Sequence, residues 1–223
     1  MTRLALFDLD HTLLSGDSDA LWCEFLIGQR VLSPACRESH AAMALAYLAG
    51  TVPAQDYCAF HARVLAGRTP AELQPLRERF VATVIRPLIP DDARALLRQH
   101  RDAGDTLVLT TATNRVVSGL TAVELGLDHY LCTELELVDG CYTGRTTGVV
   151  NMRVGKIERL RDWLVAQGLP ERLLKEATFY SDSINDLALL SMVRRPVVVD
   201  PDFRLEATAR RKGWTVLRLR RTA

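Results

Sequence analysis

The sequence predicts an α/β protein: a parallel sheet sandwiched by helices, with an inserted all-helical segment and a small β-hairpin. Three observations carry this. Short apolar runs alternate with helical patterns along most of the chain. Residues 16–87 interrupt that alternation with helix-like sequence alone. Residues 131–144 carry a two-residue periodicity around the pair Asp139-Gly140.

Residues 4–7 form the first β-like run, and runs at 106–110, 178–180, 196–199 and 215–219 follow. Between them, 91–101, 115–125, 153–167, 185–193 and 203–212 have helical spacing. Strands alternating with helices imply right-handed βα units on a parallel sheet. Within the insertion, 20–26, 34–48, 54–65 and 71–84 read as helices punctuated by Gly28, Gly50, Pro53, Gly67 and Pro70. One crossover rarely needs four helices. The expectation is therefore a helical domain at 16–87 and a core domain made of 1–15 and 88–223. The simpler alternative is that these helices cover one sheet face. In the hairpin, Leu135 and Leu137 alternate with Glu134 and Glu136 before the Asp-Gly turn.

Bulk properties exclude several classes. The 223 residues are 48% apolar, enough for one core and a small accessory domain. Lys and Arg number 28 against 27 acids, a net charge of +1. Nothing in that balance points to nucleic acid or an anionic membrane. The basic residues Arg210, Arg211, Lys212, Arg218, Arg220 and Arg221 read as solvated surface. No apolar stretch reaches the roughly 18 residues of a spanning helix, and Asp8 arrives too early for a signal peptide. Cys23, Cys36, Cys58, Cys132 and Cys141 are scattered with no C-x-x-C pair, which suggests neither zinc nor a disulfide framework. A cytoplasmic monomer or homodimer with free thiols is expected.

Four short segments carry chemistry. LALFDLDHTL puts Asp8 and Asp10 at the end of a strand, where a parallel sheet opens its ligand crevice. In extended chain the two carboxylates share a face. Taken alone, acids at a strand end are often loop chemistry. Next, Thr110-Thr111-Ala112-Thr113-Asn114 follows a strand and offers hydroxyls and amides as an anion cradle, or simply a helix cap. Third, Lys156 sits in the first turn of a helix, where a cation opposes the dipole. A bound phosphate would explain that, as would an exposed lysine at a frayed end. Last, Asp182, Asn185 and Asp186 gather two acids and an amide in five residues, as a magnesium site requires. Asp182 is also placed to cap the helix that follows. Each segment arrives at the carboxyl end of a core strand, so together they describe a nucleophile, an acid–base group, a cation, phosphate donors and a metal site.

DxDxT, a Thr after the second apolar strand, a Lys and DxxND, in that order, resemble the haloacid dehalogenase superfamily. TELELVDGCYTG, then GK, then SDSINDLALL, is similar to its subfamily IB, the phosphoserine phosphatase-like and histidinol-phosphatase-like branch. The resemblance covers nearly the whole chain. It implies a Rossmann-like core, a C1 helical cap and a Mg²⁺-dependent phosphatase acting on a small phosphorylated metabolite. By it, Asp8 is the nucleophile that forms an aspartyl-phosphate. Asp10 is the acid–base group, its carbonyl touching the metal. Asp8, Asp10, Asp182 and Asp186 form the Mg²⁺ site. Thr111, Ala112, Lys156 and Asn185 hold the phosphate. The second aspartate, Asp10, points to phosphate rather than carbon–halogen chemistry.

The same resemblance addresses the leaving group. Phosphoserine phosphatases carry a Glu near Asp17 for the substrate amine and a cap arginine for its carboxylate. Here Asp17 is shorter, Asp19 stands nearby, and Arg63 and Arg68 are the arginine candidates. Thr111-Ala112-Thr113 replaces their Ser-Gly-Gly. These departures favour a phosphorylated amino alcohol such as histidinol phosphate, its amine on Asp17 or Asp19. Those two acids could equally cap the helix beginning near Ala20. The alternatives are phosphoserine, or a phosphomutase or phosphotransferase with the same nucleophile. A receiver-like phosphoacceptor is disfavoured by Asp10 and the helical insertion, and a glycosyltransferase D-x-D site leaves Lys156 and Asp182 unexplained.

Overall fold

A computed structural model describes residues 3–127 and 129–219. Arg220 and Arg221 of the basic tail lie outside the described residues. The sheet contains seven strands: β1 (Leu4–Phe7), β2 (Thr106–Asn114), β3 (His129–Val138), β4 (Cys141–Thr147), β5 (Thr178–Ser181), β6 (Arg195–Val199) and β7 (Thr215–Leu217). Their order is β4-β3-β2-β1-β5-β6-β7, and every pairing is parallel except β3 with β4. All four residues of β1 are buried, as a strand covered on both faces requires. Leu6, Val108, Phe179 and Val198 face one apolar cluster, while Ala5, Phe7, Leu107 and Leu109 face another. The α/β sandwich predicted from the sequence is the fold.

Two strands run further than their apolar patterns. β2 continues through Thr113 to Asn114, and its register with β3 shifts between Thr110 and Asn114. Threonine suits a strand, so the Thr-rich segment prolongs the strand instead of following it. β3 begins at His129 as a parallel neighbour of β2 and only then enters the hairpin. Its first half is buried on both faces at Leu131–Thr133 and shows no alternation. The hairpin is therefore the edge of the main sheet, not an appendage. Asp139 (φ 50°) and Gly140 (φ 78°) make its two-residue turn, with the positive angles a type I′ turn demands. A five-residue helix, Arg172–Glu176, is too short to leave a periodicity in the sequence.

The insertion contains α1 (Ser18–Gly28), α2 (Cys36–Leu48), α3 (Ala54–Arg63) and α4 (Pro70–Phe80). Thr69 and Glu72 form a capping box at the start of α4, with Pro70 at the first helical position. α4 runs on through a π-turn at Val81–Ile85 and a 3₁₀ turn at Arg86–Leu88, and α5 (Asp91–Asp102) and α6 (Arg115–Glu124) follow on either side of β2 in the chain. The apolar core is continuous from these helices into the sheet. Trp22, Phe25 and Phe80 stack at 5.0–5.6 Å within the cluster that holds Phe7, Leu9 and Leu109. α1 and α4 thus cover one sheet face. α2 and α3 stand over the strand ends, around a smaller cluster of Tyr47, Cys58, Val150 and Met152. The loop after α3 is bonded to β4: Gly67 N–H donates to Tyr142 O at 2.8 Å, and Tyr142 N–H to Arg68 O at 2.9 Å. Among the described residues no helix is long and apolar enough to cross a membrane, and the five cysteines are free.

The shared core predicts that Phe80→Ala lowers the unfolding free energy by about 3–5 kcal/mol in one transition, read by urea denaturation with both tryptophan fluorescence and circular dichroism. A separate early loss of helix would show that the insertion has a core of its own.

Candidate active site

The loops after β1, β2 and β5 and the start of α7 (Val154–Ala166) meet at the carboxyl ends of the parallel strands. They line a cavity of about 320 Å³ with Asp8, Asp10, Thr111, Ala112, Lys156, Asp182, Asn185 and Asp186 on its wall. α1, α2 and α3 close it from above with Asp17, Asp19, Tyr47 and Tyr57. Every residue expected in the site, apart from the arginine candidates Arg63 and Arg68, is therefore in one place.

Asp8 is 8% exposed, and its N–H donates to Tyr180 O at 2.9 Å, tying the end of β1 to β5. Lys156, buried to 3% exposure, donates to Asp8 Oδ1 and to Asp186 Oδ2, each at 2.7 Å. Ser181 Oγ also donates to Asp186 Oδ2, at 2.8 Å. Burial raises the Asp8 carboxyl to about 6, against the pull of Lys156. Burial opposes the charge on Lys156, yet Asp186 and Asp8 outweigh it and hold the ammonium above the ordinary lysine range. The lysine is not a frayed surface residue. Its place depends on Gly155, where a Cβ would lie 2.1 Å from Val150 O.

Asp10 is held on both oxygens: Ser18 N–H donates to Oδ1 and Thr113 Oγ to Oδ2, each at 2.7 Å. Burial, and then the charge of Asp17, push its carboxyl well above the usual range. Asp182 is likewise raised by burial and by Asp8. It does not cap the following helix. Ser183 does, accepting from Asn185 N–H at 3.2 Å, because Asp182 is turned the other way. Thr12 Oγ donates to Asp182 Oδ1 at 3.0 Å and accepts from Asp182 N–H at 3.1 Å, joining the first and last loops.

Thr111 is buried, its hydroxyl accepting from Thr113 N–H at 3.2 Å. Asn185 Oδ1 accepts from Tyr47 OH at 3.3 Å, which leaves its amide donors toward the cavity. Asp17 caps α1, accepting from Ala20 N–H at 2.9 Å. Asp19, one turn in, is raised to about 8 by burial and by Asp17. Arg63 and Arg68 do not reach the site. They flank the loop bonded to β4, and no arginine among the described residues lines the cavity.

Several residues had no signal in the sequence. Tyr47 on α2 takes a bond from Arg153 Nε at 2.9 Å and gives one to Asn185. Buried Asn151 braces the β2–β3 junction, donating to Thr110 Oγ, Thr111 O and Leu131 O at 2.9–3.1 Å. Thr113 could have been suspected from its place in the Thr run; the role of Asn151 could not.

Three or more His, Cys, Asp or Glu side chains do not converge at metal-ligand spacing among the described residues. Asp186 is engaged by Lys156 and Ser181, leaving Asp8 and Asp182 as a carboxylate pair. Their mutual repulsion, with one ammonium among four buried or half-buried acids, fits a hard divalent cation held by these two and a backbone oxygen.

Comparison with known proteins places this site in a family. Residues 5–191 match haloacid dehalogenase-like hydrolases, and the chain belongs to that family and is a hydrolase. It is 36% identical to a histidinol-phosphatase of Neisseria meningitidis over 97% of this chain and 99% of the relative. It is 36% identical to phosphoserine phosphatase SerB1 of Mycobacterium tuberculosis over 97% of this chain and 70% of the relative. A crystal structure of a protein of unknown function from Bordetella pertussis Tohama I superposes with a TM-score of 0.91 at 40% identity, covering 97% and 99% of the two chains. A substrate-bound phosphoserine phosphatase shares the fold, with a TM-score of 0.70 at 16% identity over 97% and 93% of the chains.

The raised Asp19 carboxyl has a consequence for stability. The folded chain keeps this proton between about pH 4 and pH 8 while the unfolded chain loses it, so stability falls as pH rises through that window. Asp19→Asn removes the effect. Its gain in melting temperature over the parent should widen from pH 4 to pH 8 without divalent ions; a constant gap would contradict the shift.

Proposed function

We propose that the protein is a Mg²⁺-dependent phosphatase that hydrolyses a small phosphate monoester through an aspartyl-phosphate on Asp8. The observation that carries this reading is the division of labour between two neighbouring carboxyls. Asp8, at about 6, is ionised at neutral pH and can attack phosphorus. Asp10, held well above the usual range, keeps its proton for the leaving alcohol. Once the alcohol has gone, Asp10 takes a proton from the water that cleaves the acyl phosphate. Lys156, the Ala112 N–H, Thr111 Oγ and the Asn185 amide hold the phosphoryl oxygens and neutralise them. Asp8, Asp182 and the Asp10 carbonyl would hold Mg²⁺, with Asp186 behind them. The ion supplies charge that offsets repulsion between the Asp8 carboxylate and a phosphate dianion. The insertion at 16–87 acts as the cap of a core formed by 1–15 and 88–223, excluding water and selecting the leaving group.

For that group we propose a phosphorylated amino alcohol, with histidinol phosphate as the first candidate. The name of the Neisseria relative supports it, as do Asp17 and Asp19 on the cavity wall. Phosphoserine would need a cation for its carboxylate, and the cavity wall offers no arginine for it. Phosphomutase or phosphotransferase chemistry would need an acceptor other than water.

With Mg²⁺ and no added acceptor, the enzyme should release inorganic phosphate from histidinol phosphate and from phenyl phosphate. Asp8→Asn should lower kcat by about 10⁴-fold or more. Turnover undiminished in this variant would sink the proposal. Because Asp8 and Asp182 hold protons unusually well, the rise in melting temperature on adding Mg²⁺ should grow from pH 5 to pH 7.5. A rise independent of pH, or none, would exclude these two as ligands.

A further inference from the structure

His61 on α3 is 8% exposed, and neither of its ring nitrogens has a hydrogen-bond partner among the described residues. Burial lowers its pKa to about 4, so the ring is neutral at physiological pH, one nitrogen a donor and the other an acceptor. A buried donor and acceptor left unmade weaken the fold. The ring does pack edge-on with Tyr57, His40 and Phe60, at 4.7, 5.0 and 5.4 Å. Phenylalanine would supply that packing without the unmet nitrogens. Packing therefore does not account for a histidine here.

The surroundings do. His61 lines a narrow dead-end cleft with Asp19, Tyr57, Cys58, Asn114 and Thr133, with about 10 Å³ of room. That is the space of one water-sized group. Asp19, Tyr57 and Ala112 also line the catalytic cavity, so the cleft lies directly beside it. Two of its other polar groups, Asn114 and Thr133, are already used. Asn114 Oδ1 accepts from Val116 and Val117 N–H, and its Nδ2 donates to Asp19 Oδ1 at 3.5 Å. Thr133 Oγ accepts from Asn151 N–H and donates to Cys58 Sγ. What remains is the Asp19 carboxyl and a neutral histidine nitrogen, beside the Tyr57 side chain.

We infer that this cleft is the subsite for a primary ammonium on the leaving group, gripped by Asp19 and His61 together. The inference rests on the phosphatase reading and deepens it. An ammonium is water-sized, donates three hydrogen bonds and is attracted by an aromatic face. Binding an ammonium there draws the proton off Asp19, whereas a carboxylate would bring a second acid against it with no cation between them, and a hydroxyl would bring no charge to pair with it. The same reasoning chooses between the two acids. Asp17 is occupied as the cap of α1, so Asp19 is the amine's partner. His61 is then a specificity-determining residue supplied by the helical insertion.

The test compares kcat/KM for histidinol phosphate with that for its desamino analogue, with Mg²⁺, in the parent, His61→Phe and His61→Gln. The parent should prefer the amine. His61→Phe should lower that preference by about 10-fold or more, through KM for the amine, while folding at least as stably as the parent. His61→Gln, which keeps an acceptor, should recover part of it. An unchanged ratio in folded His61→Phe, or a ratio in His61→Gln no higher than in His61→Phe, would overturn the proposal. So would a parent enzyme that hydrolyses both esters without preferring the amine. If the parent hydrolyses neither ester nor phenyl phosphate, the phosphatase reading fails and the subsite falls with it.

Discussion

The structure depends on one buried ammonium. Lys156 reaches two carboxylates at 2.7 Å, one after β1 and one in the loop after β5, from the first turn of α7. Three segments far apart in the chain are fixed by that single atom. A buried ion pair is not automatically stabilising, because desolvation can exceed the attraction. Removing the lysine alone would be worse, since it leaves Asp8 and Asp186 buried with only like charges beside them. The arrangement therefore constrains composition: the lysine and both acids are kept together or lost together. Gly155 belongs to the same unit, because only a residue without Cβ lets the chain turn into α7 under Val150 O.

A second constraint orders the remaining acids. Asp8 and Asp10 stand two residues apart but meet different surroundings. Asp8 has an ammonium against it, whereas Asp10 has a backbone N–H, a hydroxyl and the field of Asp17. Burial raises both, and the lysine draws only one of them back. Chemically identical side chains thereby come to hold their protons with unequal strength, without any change in the fold that carries them.

Much of this was legible in the sequence. Alternating apolar runs and helical periods gave the layered sheet. Acids, threonines and a lysine at strand ends gave the site, because a parallel sheet brings those ends to one edge. What was illegible arises from contacts between distant segments. Tyr47 and Asn185 are 138 positions apart, and nothing in a tyrosine on a helix announces such a partner. Asp182 looks like a helix cap in sequence; Thr12, 170 positions away, turns it elsewhere and leaves the cap to Ser183. Arg63 and Arg68 look available for an anion, yet the loop they flank is committed to β4. The hairpin is legible in its turn and in the alternation at residues 134–137, but the first half of its first strand is hidden, because burial on both faces erases alternation.

The way α3 and α2 are fastened also makes access to the cavity lopsided. Beyond α3 the chain is joined to the sheet edge by two backbone hydrogen bonds at Gly67, Arg68 and Tyr142, and Gly144 allows a close fit, its Cβ position 2.9 Å from Ala66. On the α2 side the polar fastening over the cavity mouth is one tyrosine hydroxyl shared between Arg153 and Asn185. Parting the α2 side would break side-chain bonds and expose the buried Tyr47 ring, while parting the α3 side would also break two backbone hydrogen bonds. The insertion is thus sewn to the sheet edge by main chain and to the cavity mouth by side chains, so a substitution can loosen the second attachment but not the first.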